Sequence, residues 1–281
     1  MRLVGAVSQA GGQVNEDAWG TVGRDNDVAA AWVLDDVTGI NKHNYLSGKT
    51  DAAWFVGRAQ WHLQGLTADN RPLHEILHCL IELLIEDWRL ASGQFSFPPD
   101  YDSPATCLTL LKRYAHGWHA LRLGDSSLLA HNADGSIEVF AAPANDSISD
   151  VLAERAKQLR TAGTVEINSL LAEFQPQLLA QRKTRNTAGG LSILKADIVT
   201  LQFAEYRKFE NVRQFLLCTD GFYSAVDCYA LHDDSSLLRE AMKGVEKVLD
   251  DIRKVEADDP ECQKFIRFKA TDDATAVTLS I

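Results

Sequence analysis

Four short stretches of the chain place aspartates at the edge of an apolar run, next to a turn. They read VNEDAWG (14–20), WVLDDVTG (32–39), LLCTDGFYS (216–224) and ATDDATAVTLSI (270–281). Charged side chains in such places cost free energy unless they are paired or bind a metal ion. One aspartate alone would be read as a turn residue or helix cap. Four such stretches indicate that their aspartates converge at one end of a sheet. These aspartates are Asp17, Asp35, Asp36, Asp220, Asp272 and Asp273.

Oxygen-only ligands of this kind suit Mg²⁺ or Mn²⁺ rather than zinc. A competing signal is HEILH at residues 74–78, which has the His-Glu-x-x-His pattern of helical zinc sites. A catalytic zinc ion needs a third protein ligand. The extended motif fails, because Ile81 and Leu84 stand where it requires Gly and His. We therefore interpret His74 and His78 as boundary residues beside the apolar stripe of a packed helix.

The elements that must position the aspartates occur in groups and do not alternate. RLVGAVSQ and DVAAAWVLDD predict strands, two helices follow, and the segment from ATCLTLL to IEVF predicts three or four antiparallel strands. Residues 148–180 and 234–256 predict helices, DIVTLQF and RQFLLCTD predict strands, and ATAVTLSI predicts a closing strand. This grouping predicts an α+β fold with antiparallel sheets and outer helices, in a single domain over residues 1–281.

Five motifs, in their order and wording, resemble the metal-dependent protein phosphatase 2C family, in particular its bacterial serine/threonine phosphatases. Each motif alone is weak, but five in order, over about residues 5 to 281, are fairly specific. The chain shows Asn15-Glu16-Asp17, Asp35-Asp36-Val37-Thr38-Gly39, Gly124-Asp125-Ser126, Thr219-Asp220-Gly221 and Asp272-Asp273-Ala274-Thr275.

The resemblance implies an antiparallel β-sandwich flanked by helices on both faces, an α-β-β-α four-layer arrangement. It also implies a site for two metal ions at one end of the sandwich. By position, Asp35 would bridge both ions, and the carbonyl of Asp36 would reach the first ion. Asp17 and Glu16 would hold the water molecules of that ion.

For the second ion, the resemblance implies Asp220 and Asp272 as ligands, while Asp125 would help to hold a third, weaker ion. The implied activity is hydrolysis of phosphoserine and phosphothreonine in proteins by a water that bridges two Mn²⁺ or Mg²⁺ ions. Asp35, Asp220 and Asp272 are accordingly the expected catalytic residues. No cysteine or serine nucleophile is required by this chemistry.

The sequence departs from the family pattern at three positions, one of which is Val37, where eukaryotic members often have a histidine acid. Gly12 stands in place of the family arginine that grips substrate phosphate, a task for which arginine is well suited. Arg182 and Arg185 in the basic segment QRKTRNTAGG are candidate substitutes for phosphate binding, and a solvated basic patch explains them about as well. Asp36 replaces a family glycine, which leaves a carbonyl ligand in place because that ligand does not depend on the side chain.

Composition restricts the partners and the compartment. The net charge of −11 disfavours nucleic acid and anionic membranes as partners. No apolar stretch approaches the roughly 18 residues that a membrane helix needs. The five cysteines are scattered and form no CxxC motif, which predicts reduced thiols and a cytoplasmic protein.

Three functions remain open from the sequence. The first is a cytoplasmic phosphoprotein phosphatase, acting on a phosphorylated protein and paired with a cognate serine/threonine kinase. The second is a catalytically weak or inactive relative that serves as a binding module, which Gly12 favours and the intact acidic set disfavours. The third is a phosphatase for small phosphorylated metabolites that uses the same metal ions.

Overall fold

Two antiparallel sheets form the centre of the protein. The computed structural model describes residues 1–36, 43–99, 101–142, 158, 176–267 and 269–281. The strands in these ranges are β1 (Arg2–Gln9), β2 (Ala18–Arg24), β3 (Asp27–Asp36), β4 (Thr106–Tyr114), β5 (Gly117–Leu123), β6 (Ser127–Asn132), β7 (Ile137–Phe140), β8 (Glu205–Phe209), β9 (Val212–Cys218) and β10 (Ala274–Ser280). One sheet has the order β2-β3-β4-β5-β8 and the other β1-β10-β9-β6-β7.

Helices cover the outer face of each sheet. The α-helices of the described residues that cover the sheets are α1 (Asp51–Leu66), α2 (Leu73–Ser92), α3 (Asp220–Asp227), α4 (Asp234–Ala241) and α5 (Val245–Asp258). Apolar side chains of α1 and α2 pack on the β2-β3-β4-β5-β8 sheet, and those of α3, α4 and α5 pack on the other sheet. This arrangement confirms the predicted α+β class and the four-layer α-β-β-α order.

Strand β3 shows why its sequence reads as one apolar run. Successive side chains of a strand point to opposite faces, so a strand buried on both faces needs apolar residues at every position. Ala31 and Val33 pack between the two sheets. Trp32 and Leu34 pack on the other face, against the helices. The same alternation directs Asp35 toward the space between the sheets, at the end of the strand.

Two predictions of secondary structure are wrong. DIVTLQF was expected as a strand, but Ile198–Phe203 is a 3₁₀ helix, because the Asp197 carboxylate accepts a hydrogen bond from Val199 N (2.9 Å) and starts the turn. Residues 234–256 were expected as one helix, yet they form α4 and α5. The two separate at Gly244, which has an extended backbone (φ 168°).

The predicted helical segment 148–180 lies mostly outside the described residues. Its residues 148–157 and 159–175 belong to the part that the structure does not describe, while residues 176–183 are helical.

The five cysteines are free thiols. Among the helices in the described ranges, none combines the length and apolar character that crossing a bilayer requires.

The packing between the sheets can be tested at Phe215. This side chain is fully buried and contacts the rings of Trp118 and Phe209, at centroid distances of 5.7 and 5.5 Å. Phe215→Ala should lower the free energy of unfolding by about 3–5 kcal/mol, because it leaves a cavity. Chemical denaturation measures this loss. Leu90→Ala is the control, since Leu90 is exposed; an equal loss in both variants would contradict the packing.

Candidate active site

The aspartates that the sequence singles out lie where strands begin or end. Asp35 and Asp36 are the last residues of β3, and Asp125 lies in the turn after β5. The other four flank strands of both sheets: Asp17 precedes β2, Asp220 follows β9, and Asp272 and Asp273 precede β10. Both sheets therefore contribute carboxylates to the site.

Three of these carboxylates form a compact cluster. Oxygens of Asp35, Asp125 and Asp220 all lie within 4.8 Å of one another. In the described part of the chain, no other group of three His, Cys, Asp or Glu side chains meets this criterion. Asp35 is buried, Asp125 is half-buried and Asp220 is exposed at the surface. The cluster thus has a closed inner side and an open outer side.

Hydrogen bonds hold Asp35 in this cluster. The backbone N–H of Asp220 donates to Asp35 Oδ2 (3.1 Å), and the hydroxyl of Ser126 donates to the same oxygen (3.4 Å). Thr106 Oγ1 donates to the carbonyl oxygen of Asp35 (2.8 Å). The thiol of buried Cys107 donates to Asp125 Oδ1 (3.1 Å). Sequence reasoning missed Thr106 and Cys107, because nothing in TCLTLL distinguishes them from ordinary strand residues.

Two glycines permit the close approach of these segments. Gly124 has φ +97°, and a Cβ added there would lie 2.3 Å from Cys107 Sγ. A Cβ at Gly221 would lie 2.0 Å from the carbonyl oxygen of Asp273. A larger residue at either position would push the neighbouring aspartate out of place. Steric crowding therefore explains why glycine stands beside the aspartate in the Gly124-Asp125 and Asp220-Gly221 motifs.

Two hydrogen bonds hold Asp17 in place, one through its side chain and one through its backbone N–H. Thr219 Oγ1 donates to Asp17 Oδ2 (2.8 Å), and the N–H of Asp17 donates to Asn15 Oδ1 (3.1 Å). Asn15 in turn donates to the hydroxyl of Ser8 (2.8 Å). The asparagine of the Asn-Glu-Asp motif thus orients the aspartate.

Asp273 joins the two ends of the chain. Its Oδ1 accepts from Gly11 N (2.7 Å), and its Oδ2 accepts from Glu16 N (2.5 Å). Its own N–H donates to Asp272 Oδ1 (2.9 Å). Both carboxylate oxygens of Asp273 are thereby used in holding the backbone near Glu16 and Asp17.

Asp36 is different, because its buried carboxylate has another carboxylate, that of Glu16, as a neighbour among the described residues. Within the described residues, neither Oδ1 nor Oδ2 of Asp36 has a partner. Burial raises the pKa of Asp36 well above its ordinary value, and the nearby carboxylate of Glu16 raises it further. A buried carboxylate in this condition is costly unless a cation compensates it.

Repulsion within the cluster shows in the pKa values of the other carboxylates. Burial raises the pKa of Asp35 well above its ordinary value, and the charges of Asp220, Asp17 and Asp125 add to this. Asp220 keeps an exposed edge, yet the protein around its carboxylate, then Asp272 and Asp125, raise its pKa as well.

Burial also raises the pKa of Asp17 to about 7, despite the hydrogen bond from Thr219. A divalent cation would offset both the burial and the repulsion. Carboxylate oxygens are the ligands that Mg²⁺ and Mn²⁺ prefer. The residues present therefore fit such ions.

One cation that the sequence analysis did not single out lies at this site. Lys269 Nζ is 2.6 Å from Asp272 Oδ1. Burial lowers the pKa of Lys269, but the carboxylates of Asp272, Asp220 and Asp35 outweigh it, so the pKa is raised overall. Lys269 directly precedes the stretch ATDDATAVTLSI, in which the sequence points to the aspartates as candidate ligands.

The two arginines that the sequence suggests for binding substrate phosphate form ion pairs with Asp102. Arg182 Nη1 is 3.3 Å and Arg185 Nη1 is 3.5 Å from Asp102 Oδ2, and Lys195 Nζ is 3.6 Å from its Oδ1. Both arginines are largely buried. Burial, followed by the neighbouring Arg185, lowers the pKa of Arg182 to about 10. Electrostatic interactions with Asp36 reach both arginines, so they lie beside the carboxylates.

Gly12, which stands in place of the family arginine, has free space where a side chain would begin. A Cβ at Gly12 would meet no atom within 4 Å, whereas a Cβ at the preceding Gly11 would lie 2.5 Å from the backbone of Asp272.

His74 and His78 are exposed on the surface of α2, with 71% and 49% of their side chains accessible. This exposure supports their interpretation as helix boundary residues.

The four-layer sandwich with an oxygen-only acidic cluster at the ends of its strands defines a class of metal-dependent hydrolase. The sequence model for protein phosphatase 2C matches residues 4–255. This chain therefore belongs to the protein phosphatase 2C family. It is a metal-dependent protein phosphatase, and its cluster of three aspartates could hold metal ions.

Several solved structures of low sequence identity share the fold, among them two bacterial serine/threonine phosphatases and a regulatory component of a type VI secretion system. The Mycobacterium tuberculosis serine/threonine phosphatase PstP/Ppp is 14% identical, with 99% of this chain and 97% of that chain covered at a TM-score of 0.56. Staphylococcus aureus Stp1 is 15% identical, with 99% and 94% covered at 0.54. PppA of Pseudomonas aeruginosa is 16% identical, with 98% and 95% covered at 0.52. A comparison with curated protein sequences gives no match.

The raised carboxylate pKa values predict how stability depends on pH without metal. Asp17 has a folded pKa of about 7, above its unfolded value, so the stability it contributes is present at low pH and lost as the pH rises toward 7. Metal-free protein should melt roughly 5 °C or more higher at pH 5 than at pH 8. Scanning calorimetry in chelator measures this. Asp17→Asn should reduce the difference, and Mn²⁺ at pH 8 should raise the melting temperature; a flat profile would contradict the repulsion.

Proposed function

We propose that the carboxylate cluster is the metal centre at which this phosphatase hydrolyses phosphoserine and phosphothreonine. The observation that carries the proposal is the convergence of oxygens of Asp35, Asp125 and Asp220 within 4.8 Å. Asp35, the buried member of the cluster, would be a ligand of the metal ions, as the family resemblance implies. Asp220 and Asp272 would help to hold a second ion, and Asp125 would help to hold a third, weaker one.

The remaining acidic residues belong to the first ion in this proposal. Asp36 would contribute its carbonyl oxygen, while Glu16 and Asp17 would orient water around the ion. Support comes from the hydrogen bonds that fix this segment, from Thr219 to Asp17 and from Glu16 N to Asp273. Bound Mn²⁺ or Mg²⁺ would supply an activated water and hold phosphoryl oxygens for in-line attack.

The chain's own residues set the geometry of that reaction. Donors to Asp35 come from the backbone of Asp220 and the hydroxyl of Ser126, so its carboxylate cannot rotate freely. The exposed edge of Asp220 leaves the outer side of the cluster accessible to a phosphate ester. We further propose that Arg185, with Arg182 in a weaker role, binds substrate phosphate after exchanging Asp102 for it, since Arg–phosphate pairs are charge-assisted.

The cellular setting is also a proposal. We infer that the protein acts in the cytoplasm, which its five free cysteines favour. Its substrate would be a protein phosphorylated by a cognate serine/threonine kinase, and its role would be in signalling. A phosphoprotein substrate also agrees with the net charge of −11, because that charge disfavours nucleic acid.

Hydrolysis of a chromogenic phosphate ester should require added Mn²⁺ or Mg²⁺ and stop with chelator. Asp220→Ala should lower kcat by at least about a hundredfold, because it removes one charge that holds the ions. Asp251→Ala, at an exposed aspartate on α5, is the matched control and should keep wild-type turnover. Wild-type turnover that survives exhaustive chelation would refute the mechanism.

The role of the arginines predicts a change in KM. Arg185→Ala should raise KM for the ester several-fold with less effect on kcat, because a phosphate contact acts in the ground state and the transition state alike. Arg182→Ala should act in the same direction more weakly. Steady-state kinetics with saturating Mn²⁺ measure both. An unchanged KM in the two single variants and in the double variant would show that these arginines only neutralise Asp102.

A further inference from the structure

Lys269 occupies an unusual place for a lysine, on a carboxylate assigned to metal binding. Its ammonium lies 2.6 Å from Asp272 Oδ1, and the N–H of Asp273 donates to the same oxygen. Neither partner is deeply buried, since 38% of the Lys269 side chain and 35% of the Asp272 side chain are accessible. Half-exposed ion pairs contribute little to stability. Fold stability alone is therefore a weak reason for this pair.

The charges around Lys269 belong to the proposed metal centre. Its ammonium interacts electrostatically with Asp272, Asp220 and Asp35. Asp36 also lies within its electrostatic reach. A single positive charge thus shares the carboxylates that divalent ions would use. Because like charges repel, an ammonium in this place must weaken the binding of a cation at Asp272.

Asp36 provides charge of the opposite sign when a nearby cation keeps its carboxylate ionised. Both of its carboxylate oxygens are buried and have no hydrogen-bond partner within the described residues. A glycine at this position would leave the centre with one negative charge fewer. The chain therefore places one additional carboxylate and one additional ammonium at the same end of the sandwich.

We propose that Lys269 is a tethered competitor of the metal ion at Asp272, and that the Asp36 carboxylate offsets its charge. This inference rests on the proposed assignment of Asp272 as a metal ligand. Metal binding then requires the ammonium to leave Asp272 Oδ1 or to share that carboxylate with the ion. The apparent affinity for Mn²⁺ is set by the balance between Lys269 and Asp36.

Calorimetric titration of chelator-treated protein with Mn²⁺ tests the competition without any substrate. Lys269→Met removes the charge and keeps the apolar stem, and it should tighten Mn²⁺ binding about tenfold, since that is the effect of one charge near a divalent ion in a water-like dielectric. Lys269→Arg keeps the charge and should stay within about twofold of wild type. Lys269→Gln replaces Lys269→Met if the latter does not fold, as judged by circular dichroism.

The offset by Asp36 predicts a complete double-mutant cycle. Asp36→Asn should weaken Mn²⁺ binding by a factor similar to the gain in Lys269→Met. The double variant should return to within a few-fold of wild type, because both changes act through the charge of the centre. Melting temperatures with and without Mn²⁺ provide a second measure, and the metal-induced rise should be largest in Lys269→Met.

Two results would overturn the competition. Unchanged or weaker Mn²⁺ binding in Lys269→Met would show that the ammonium does not compete. A raised KM for the phosphate ester in that variant, with unchanged Mn²⁺ affinity, would instead make Lys269 a contact to substrate phosphate. If wild type itself bound no Mn²⁺, the metal centre of the proposed function would fail, which is a different result from equal binding by wild type and Lys269→Met.

Discussion

Mutual repulsion among carboxylates is the constraint around which this end of the protein is built. Asp35, Asp125 and Asp220 have oxygens within 4.8 Å of one another, although burial and like charge both oppose ionisation there. The structure holds them with hydrogen bonds from a backbone N–H, from hydroxyls and from a thiol. Those donors orient the oxygens, and a divalent cation would supply the positive charge that compensates the carboxylates. The arrangement is therefore suited to binding a metal ion.

The distance between the two sheets controls the geometry of the cluster. Asp35 ends a strand of one sheet, Asp220 follows a strand of the other, and Asp125 lies in the turn that connects β5 of the first sheet with β6 of the second. The apolar layer around Phe215 separates these sheets. Since interiors pack as densely as crystals, this layer fixes the separation closely. The catalytic geometry therefore depends on side chains that never contact substrate.

Much of this fold and of the acidic centre could be predicted from the sequence, and the failures have physical causes. The run DVAAAWVLDD was identified as a strand because its apolar pattern reflects burial on both faces. DIVTLQF misled, because a local hydrogen bond from Val199 N to Asp197 overrode its β-forming residues. Lys269 and Asp102 were missed because a pairwise contact between distant or irregular segments leaves no periodic trace. The order of the motifs predicted the carboxylates of the site, but only the tertiary structure shows which basic side chains lie beside them.

The contacts of Asp273 with Gly11 and Glu16 bear on when the enzyme becomes competent during synthesis. Strand β10 enters the sheet between β1 and β9, so a segment that is made early and a segment that is made about 270 residues later are neighbours. A nascent chain that still lacks β10 has a gap in the middle of one sheet, and the segment that carries Glu16 and Asp17 has nothing to anchor it. Pairings so remote in sequence form late. Truncated translation products should consequently lack phosphatase activity, which would protect phosphoproteins from hydrolysis by unfinished copies.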